Sequence, residues 1–429
     1  MEPQSRRQVA AKRTVNKILG SLPRSGIRRL TDEVMRINQN GGQAIQLGFG
    51  QPHEPVDRAV CEAIMKAAES RKTAYTENAG SPPLRRAIVA KLKARNAIEV
   101  NLEEVLVTPG ATYGVTTAVG CLINPGDDVL VPDPGYPNFA PAVRHYGGIA
   151  RFYPLTEKAG YQPDLDRLVG QITPATKMII INSPGNPTGA VIQAHLVKQL
   201  IEITAHYNLW LLSDEVYESY VYDGRHVSPL SFPESEHVVG VYSFSKTYNM
   251  TGLRVGYVVA RDKDFLKAFL NAQELYISCA PSTSQAAAYC ALTACDEYVE
   301  VMRRTYKQKR DLTISLLGDY VKQRPEGAFY VLVDISFTGL TSDQFADLLL
   351  QEKQVAVAPG ATFGPGSDKY IRVAFTPSTD LLSIGLQRLK EFLDEWAAKP
   401  SPLSDHLALG HRGICHNESG EGEAVHEQA

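Results

Sequence analysis

Cysteine is scarce and scattered. The six in 429 residues (Cys61, Cys121, Cys279, Cys290, Cys295 and Cys415) stand in mostly apolar contexts, with no Cys-x-x-Cys pair. That excludes a disulfide framework and a zinc knuckle, and fits a reducing compartment. No apolar run approaches the ~18 residues that span a bilayer, and the first residues lack the charged, apolar and small-residue succession of a secretory signal. A cytoplasmic chain with no membrane partner is therefore expected. Nor is there an excess of charge of one sign: 44 Lys and Arg against 47 Asp and Glu leave a net charge of −3. Without a basic field, no nucleic-acid partner is expected. No internal repeat is visible.

What is present is a large apolar fraction, 44%, on a chain long enough for two or three domains. Residues 1–30 are basic, with Glu2 as the only acid, and read as a solvated or partner-facing arm, with an organelle transit peptide as the alternative. From about residue 57 to 305, helical periods alternate with short branched apolar runs: Val105–Thr108, Val129–Val131, Lys177–Asn182, Leu209–Ser213, Val239–Ser243 and Arg254–Ala260. Such alternation predicts an α/β fold, a mostly parallel sheet covered by helices. A long charged helix is expected after Thr305. It leads into a smaller α+β unit with strands over Phe329–Asp334 and Tyr370–Phe375 and helices over Ser342–Glu352 and Asp380–Trp396. Residues 400–429 lack amphipathic period and read as a disordered tail. Its histidines (His406, His411, His416, His426) match no standard metal spacing, so no metal is expected.

Four polar segments fall at the carboxyl ends of predicted strands: Pro109 to Thr112, Asn182 to Gly189, Asp214 to Tyr217, and Ser243 to Lys246. In open α/β sheets that edge binds ligands. Gly110-Ala111-Thr112 opens a helix, where free N–H groups and a hydroxyl suit a phosphate, although an ordinary turn has the same composition. Ser243, Ser245 and Arg254 could add phosphate ligands. Lys246 adds an amine. An ammonium buried at a strand end is costly, whereas an amine in imine linkage to an aldehyde avoids most of that cost; the alternative is an exposed loop lysine. Asp214, after Leu211 and Leu212, needs a cationic or hydrogen-bonding partner if buried, or else serves as a helix N-cap.

Over residues 22–397 the chain resembles the pyridoxal-phosphate-dependent aminotransferases of the class I/II group, which have the aspartate aminotransferase fold, fold type I. The resemblance is carried by GFGQP at Gly48 to Pro52, YTENAGSPPLR at Tyr75 to Arg85, DPGYPNF at Asp133 to Phe139 and NSPGNPTG at Asn182 to Gly189. SDEVY at Ser213 to Tyr217, SFSKTYNMTGLRVG at Ser243 to Gly256 and YIRVAF at Tyr370 to Phe375 complete it. It implies an arm over 1–21, a segment over 22–56 that joins the small domain, a large cofactor-binding domain over 57–305 and a small domain over 306–399. It further implies that Lys246 links to the aldehyde of pyridoxal 5′-phosphate and that Asp214 pairs with the ring nitrogen. Tyr217 and Asn186 would meet the ring's phenolic oxygen, and Tyr136 would stack on the ring.

The phosphate ligands by the same resemblance are Ala111, Thr112, Ser243, Ser245 and Arg254. Tyr75 would reach the phosphate of a neighbouring subunit, which makes the expected assembly a homodimer with composite sites. Arg372 would fork onto the substrate α-carboxylate, assisted by Asn186 and the backbone of Gly50. The reaction implied is transfer of an amino group from an L-amino acid to a 2-oxo acid in a two-step, ping-pong cycle. A lyase, racemase or oxidase of a specialised biosynthetic pathway is the alternative on this fold. A transcription factor carrying such a domain would need a DNA-binding module ahead of it. One departure stands out: where the family usually continues Gly-Gln-Pro with Asp-Phe, this chain has His53-Glu54-Pro55. Arg24 is the other open position, either facing an acidic substrate side chain or solvent.

Overall fold

The computed structural model describes residues 14–22 and 26–399. Arg24, most of the basic arm and the 400–429 tail, with its histidines and Cys415, lie outside the described residues. After α1 (Gly26–Gln39), strand β1 (Ile45–Gln46) pairs in parallel with a strand from far along the chain. The next seven strands form one sheet: β2 (Val105–Thr108), β3 (Asp128–Asp133), β4 (Ile149–Pro154), β5 (Thr176–Asn182), β6 (Trp210–Asp214), β7 (Val238–Ser243) and β8 (Gly256–Ala260). Their order is β2-β8-β7-β6-β5-β3-β4, with only β8 antiparallel to its two neighbours. This is the expected mostly parallel α/β sheet.

Strand periodicity explains why these segments read as unbroken apolar runs. Alternate residues face opposite sides. Val107, Leu130, Ile179, Leu211 and Val259 enter one apolar cluster, while Leu106, Val129, Ile180, Leu212 and Val258 enter another. Helices cover both faces, so each side chain is removed from water, about 1.5–3 kcal/mol apiece. β4 was not anticipated from the sequence. It lies at the sheet edge with Ile149 exposed and Arg151 paired to Asp128, and an edge strand does not require a continuous apolar run.

Of the boundaries that differ from expectation, two bear on the site. β8 begins at Gly256 rather than Arg254, because Arg254 takes a left-handed φ of 47° after a helical turn over Thr251–Leu253. The long charged helix begins at Asp296 rather than after Thr305. The helices concerned below are α2 (Ala111–Leu122), α3 (Lys263–Tyr276) and α4 (Asp296–Leu317). Beyond them, β9 (Tyr330–Asp334), α5 (Ser342–Lys353), β10 (Val355–Ala356), β11 (Ala358–Pro359), β12 (Tyr370–Ala374) and α6 (Thr379–Ala397) complete the chain. β11-β12-β9 form an antiparallel sheet, and β10 is the partner of β1. A third apolar cluster joins Leu30 and Val34 of α1 to Phe345, Val373 and Leu386. The segment before residue 56 thus packs with the last third of the chain.

Candidate active site

The sheet topology brings the functional segments to one edge. Asn182 stands opposite Asp214, Asp214 opposite Val241, and Ser243 opposite Gly256, which in turn faces Thr108. Hence the ends of β2, β5, β6 and β7 and the entry to β8 converge.

α2 starts directly at this edge, after Gly110 at φ 89°. A Cβ at Gly110 would lie 2.4 Å from an Arg254 guanidinium nitrogen, so glycine is what lets the helix start approach that arginine. Arg254 donates to Ser245 Oγ at 3.4 Å and to the Thr251 carbonyl at 3.0 Å; Ser243 Oγ accepts from the Ser245 N–H at 3.1 Å. The Thr112 hydroxyl lies 3.3 Å from the Tyr136 hydroxyl, to which Asn138 also donates. Tyr136 is held edge-on against Phe139. Thus Thr112 and Tyr136 meet, and Ser243, Ser245 and Arg254 form the other wall of the same cradle.

Lys246 sits in the helical turn Phe244–Thr247 that follows β7, and its Nζ donates to the Gly50 carbonyl at 2.7 Å. It is no exposed loop lysine. Burial, reinforced by the positive charges of Arg372 and Arg254 and opposed by Asp214, pulls its amine down to about 7. Asp214, 4% exposed, accepts from the Val216 N–H at 3.3 Å, and no helix follows to be capped. Burial chiefly, with the Glu215 charge adding, pushes its carboxyl up to about 7.

Arg372, 2% exposed on β12, donates to Asn186 Oδ1 at 2.8 Å and to the Gly48 carbonyl at 2.6 Å, while its Nε has no partner. Its guanidinium lies over Tyr330 at 4.2 Å and Phe363 at 4.7 Å from the ring centres. Asn186 is fixed in turn: its N–H donates to Asn182 Oδ1, and Asn182 donates to the Asp214 carbonyl. The Tyr217 hydroxyl meets that of Tyr330 at 2.8 Å.

Tyr330 escaped the sequence reading, since at the start of an apolar strand it reads as core. Its place shows only in the fold, where a Cβ at Gly50 would fall 2.0 Å from the Tyr330 hydroxyl. Tyr75 is the predicted residue not gathered into the cleft; it is 86% exposed in the single chain. At the departure from the family pattern, His53 is exposed and Glu54 gives its carboxylate to Tyr306 and Lys309 of α4. Besides Lys246 and Arg372, Arg28 also approaches the 48–50 segment, its guanidinium 5.1 Å from the Phe49 ring centre.

This edge of the seven-stranded α/β sheet, with a buried amine, a buried carboxylate and Arg254 at it and Arg372 of β12 bonded to Asn186 there, defines a class, and sequence comparison agrees. Residues 43–389 match the class I and II aminotransferases, and the chain belongs to that family, whose members depend on pyridoxal 5′-phosphate. The aspartate aminotransferase of Pyrococcus horikoshii is 34% identical over 380 residues, covering 87% of this chain and 95% of that protein. Among solved structures, the aspartate aminotransferase of Thermus thermophilus with maleate superposes with a TM-score of 0.85 at 31% identity, over 89% of this chain and all of that one. The aromatic aminotransferase of Pyrococcus horikoshii gives 0.79 at 33% identity, over 84% and 99%.

The residues present fit the cofactor. The side-chain partners of Arg254, Arg372, Lys246 and Asp214 among the described residues are hydroxyl, carbonyl, amide and N–H groups rather than opposite charges held in an ion pair. A phosphate dianion, a substrate carboxylate and a ring N–H are complementary to that set.

Proposed function

We propose that this chain is a cytoplasmic, homodimeric aminotransferase in which Lys246 binds the cofactor and moves the proton, and Arg372 holds the α-carboxylate of the amino or oxo acid. When bound, pyridoxal phosphate supplies an aldehyde for the substrate amine and a ring that accepts electrons from the substrate Cα. The observation that carries the reading is Lys246 beside Asp214 at the common strand edge. With its amine lowered to about 7, Lys246 Nζ is unprotonated in part at neutral pH, and a base of that strength can take a proton from Cα and deliver it elsewhere. Asp214 would pair with the ring nitrogen and keep a proton on it. Ala111, Thr112, Ser243, Ser245 and Arg254 bind the phosphate, the first two at the positive end of α2. Tyr217 and Asn186 would meet the ring's phenolic oxygen, Tyr136 would stack on the ring, and the Gly50 backbone would assist Arg372 on the substrate side. Arg372 already presents two N–H groups to fixed acceptors, so its plane is set before substrate arrives.

The homodimer is supported by the surface around Tyr75. The adjoining stretch is tied to α3, with Asn78 donating to the Leu270 carbonyl and Gln273 donating to the Val107 carbonyl beneath. α3 carries Leu275 (78% exposed) and Tyr276 (49%), an apolar face fitting a second subunit. Residues 22–56 and 306–399 are taken as one domain and 57–305 as the other, in keeping with the pairing of β1 with β10. A cytoplasmic location agrees with Cys61, Cys121, Cys279, Cys290 and Cys295 being free thiols, and no helix among the described residues is long and apolar enough to cross a membrane.

A single turnover of the loaded enzyme with an amino acid and no acceptor tests this. One oxo acid per site should be released, and the amino group should stay with the enzyme until a 2-oxo acid is added. Release of ammonia, peroxide or the opposite enantiomer instead would refute it in favour of lyase, oxidase or racemase chemistry.

A further inference from the structure

Residues 48–56 run through the site without regular secondary structure, so their position depends on side-chain anchors. On the substrate side Gly48 O accepts from Arg372, Phe49 O from Thr376 at 3.1 Å, and Gly50 O from Lys246. The opposite end is held at Glu54. Its carboxylate accepts from Tyr306 at 2.8 Å and is paired with Lys309, which is 2% exposed against 18% for Glu54. Its carbonyl accepts from Asn249 at 3.1 Å, and the next carbonyl, Pro55, accepts from Tyr298 at 2.6 Å.

The same anchor reaches Lys246 by a second route. Tyr306 packs edge-on against Tyr220 at 5.1 Å, and the Tyr220 hydroxyl donates to the Lys246 carbonyl at 3.1 Å. Asn249, bound to Glu54, also donates its N–H to that carbonyl at 3.2 Å. Both ends of Lys246, Nζ and main chain, are thus registered on one glutamate.

We infer that Glu54, together with Lys309 and Tyr306, is a positioning residue that fixes Lys246 through the Gly50 carbonyl and through Tyr220. This rests on the assignment of Lys246 as the cofactor-binding lysine. A buried pair of this kind is costly to break singly, because one desolvated charge is left over, but replacing both charges removes that penalty. The informative variant is therefore Glu54→Gln with Lys309→Met.

A purely structural pair would change only the melting temperature. A positioning pair must change Lys246 itself. The Gly50 carbonyl favours the protonated amine, so loosening it lowers the proton affinity of Lys246. Competitive acetylation of the apoenzyme with acetic anhydride across pH, read on the Lys246 peptide, should show its titration moved down by about half a unit or more. In the loaded double variant kcat should fall about tenfold while donor KM stays within about twofold. A control at the opposite end of the sheet, Asp128→Asn with Arg151→Met, should leave the Lys246 titration unchanged. If the double variant does not fold, Tyr306→Phe carries the test, with a smaller shift of the same sign. An unaltered Lys246 titration and kcat in the folded variant, at any melting temperature, would overturn the proposal. Borohydride reduction that marks a different lysine would instead overturn the assignment beneath it.

Discussion

At the residue scale, desolvation sets the chemistry. Asp214 has an ordinary carboxyl value of 3.8 when unfolded and about 7 when folded. A proton bound more tightly in the fold stabilises it fully below pH 3.8, and that contribution is lost as pH rises through 7. Asp214→Asn removes the dependence. The apoenzyme of this variant should melt higher than the parent at pH 8, by about 2–4 kcal/mol of stability, and match it below pH 4. The loaded variant should lose about a hundredfold or more in turnover, because the ring nitrogen no longer faces an anion. Thermal melts of the apoenzyme across pH check the first half, and turnover rates of the loaded variant check the second. Asp214 and Lys246 stood out in the sequence by their place at strand ends, but each had a bland alternative, a helix N-cap and an exposed loop lysine, and it was the resemblance carried by SDEVY and SFSK that implied their roles. Tyr330 did not stand out, since a tyrosine inside an apolar run is ordinary core until its hydroxyl is seen to meet Tyr217.

At the scale of elements, the cradle depends on how closely α2 approaches the turn before β8. Gly110 makes that approach possible, with its φ of 89° and the Arg254 guanidinium 2.4 Å from where a Cβ would stand. Gly110→Ala should cost about 1–3 kcal/mol and displace Arg254, weakening inorganic phosphate binding to the apoenzyme about tenfold. Calorimetric phosphate titration beside a melting curve separates the two effects. The central strands were readable because they are buried on both faces and carry uninterrupted Val, Ile and Leu. β4 was not, as its exposed outer positions tolerate Arg151 and Ile149 alike. The early start of α4 at Asp296 was missed for a related reason: its first turn carries Asp296 and Glu297, good helix-start residues that contribute no apolar period.

At the scale of the whole molecule, the assembly was implied by resemblance and not by pattern, because nothing in the local sequence around Tyr75 says what its ring touches. If the sites are composite, mixing the inactive variants Tyr75→Ala and Lys246→Ala with subunit exchange should restore about a quarter of parental activity, since half the dimers are hybrids and each has one intact site. Activity that stays at the level of the separate variants after verified exchange would reject shared sites. The account as a whole turns on one amine. Reduction of the loaded protein with borohydride, followed by peptide mapping, should bleach the visible band and leave a single modified lysine, Lys246. A modified peptide that lacks Lys246 would contradict it.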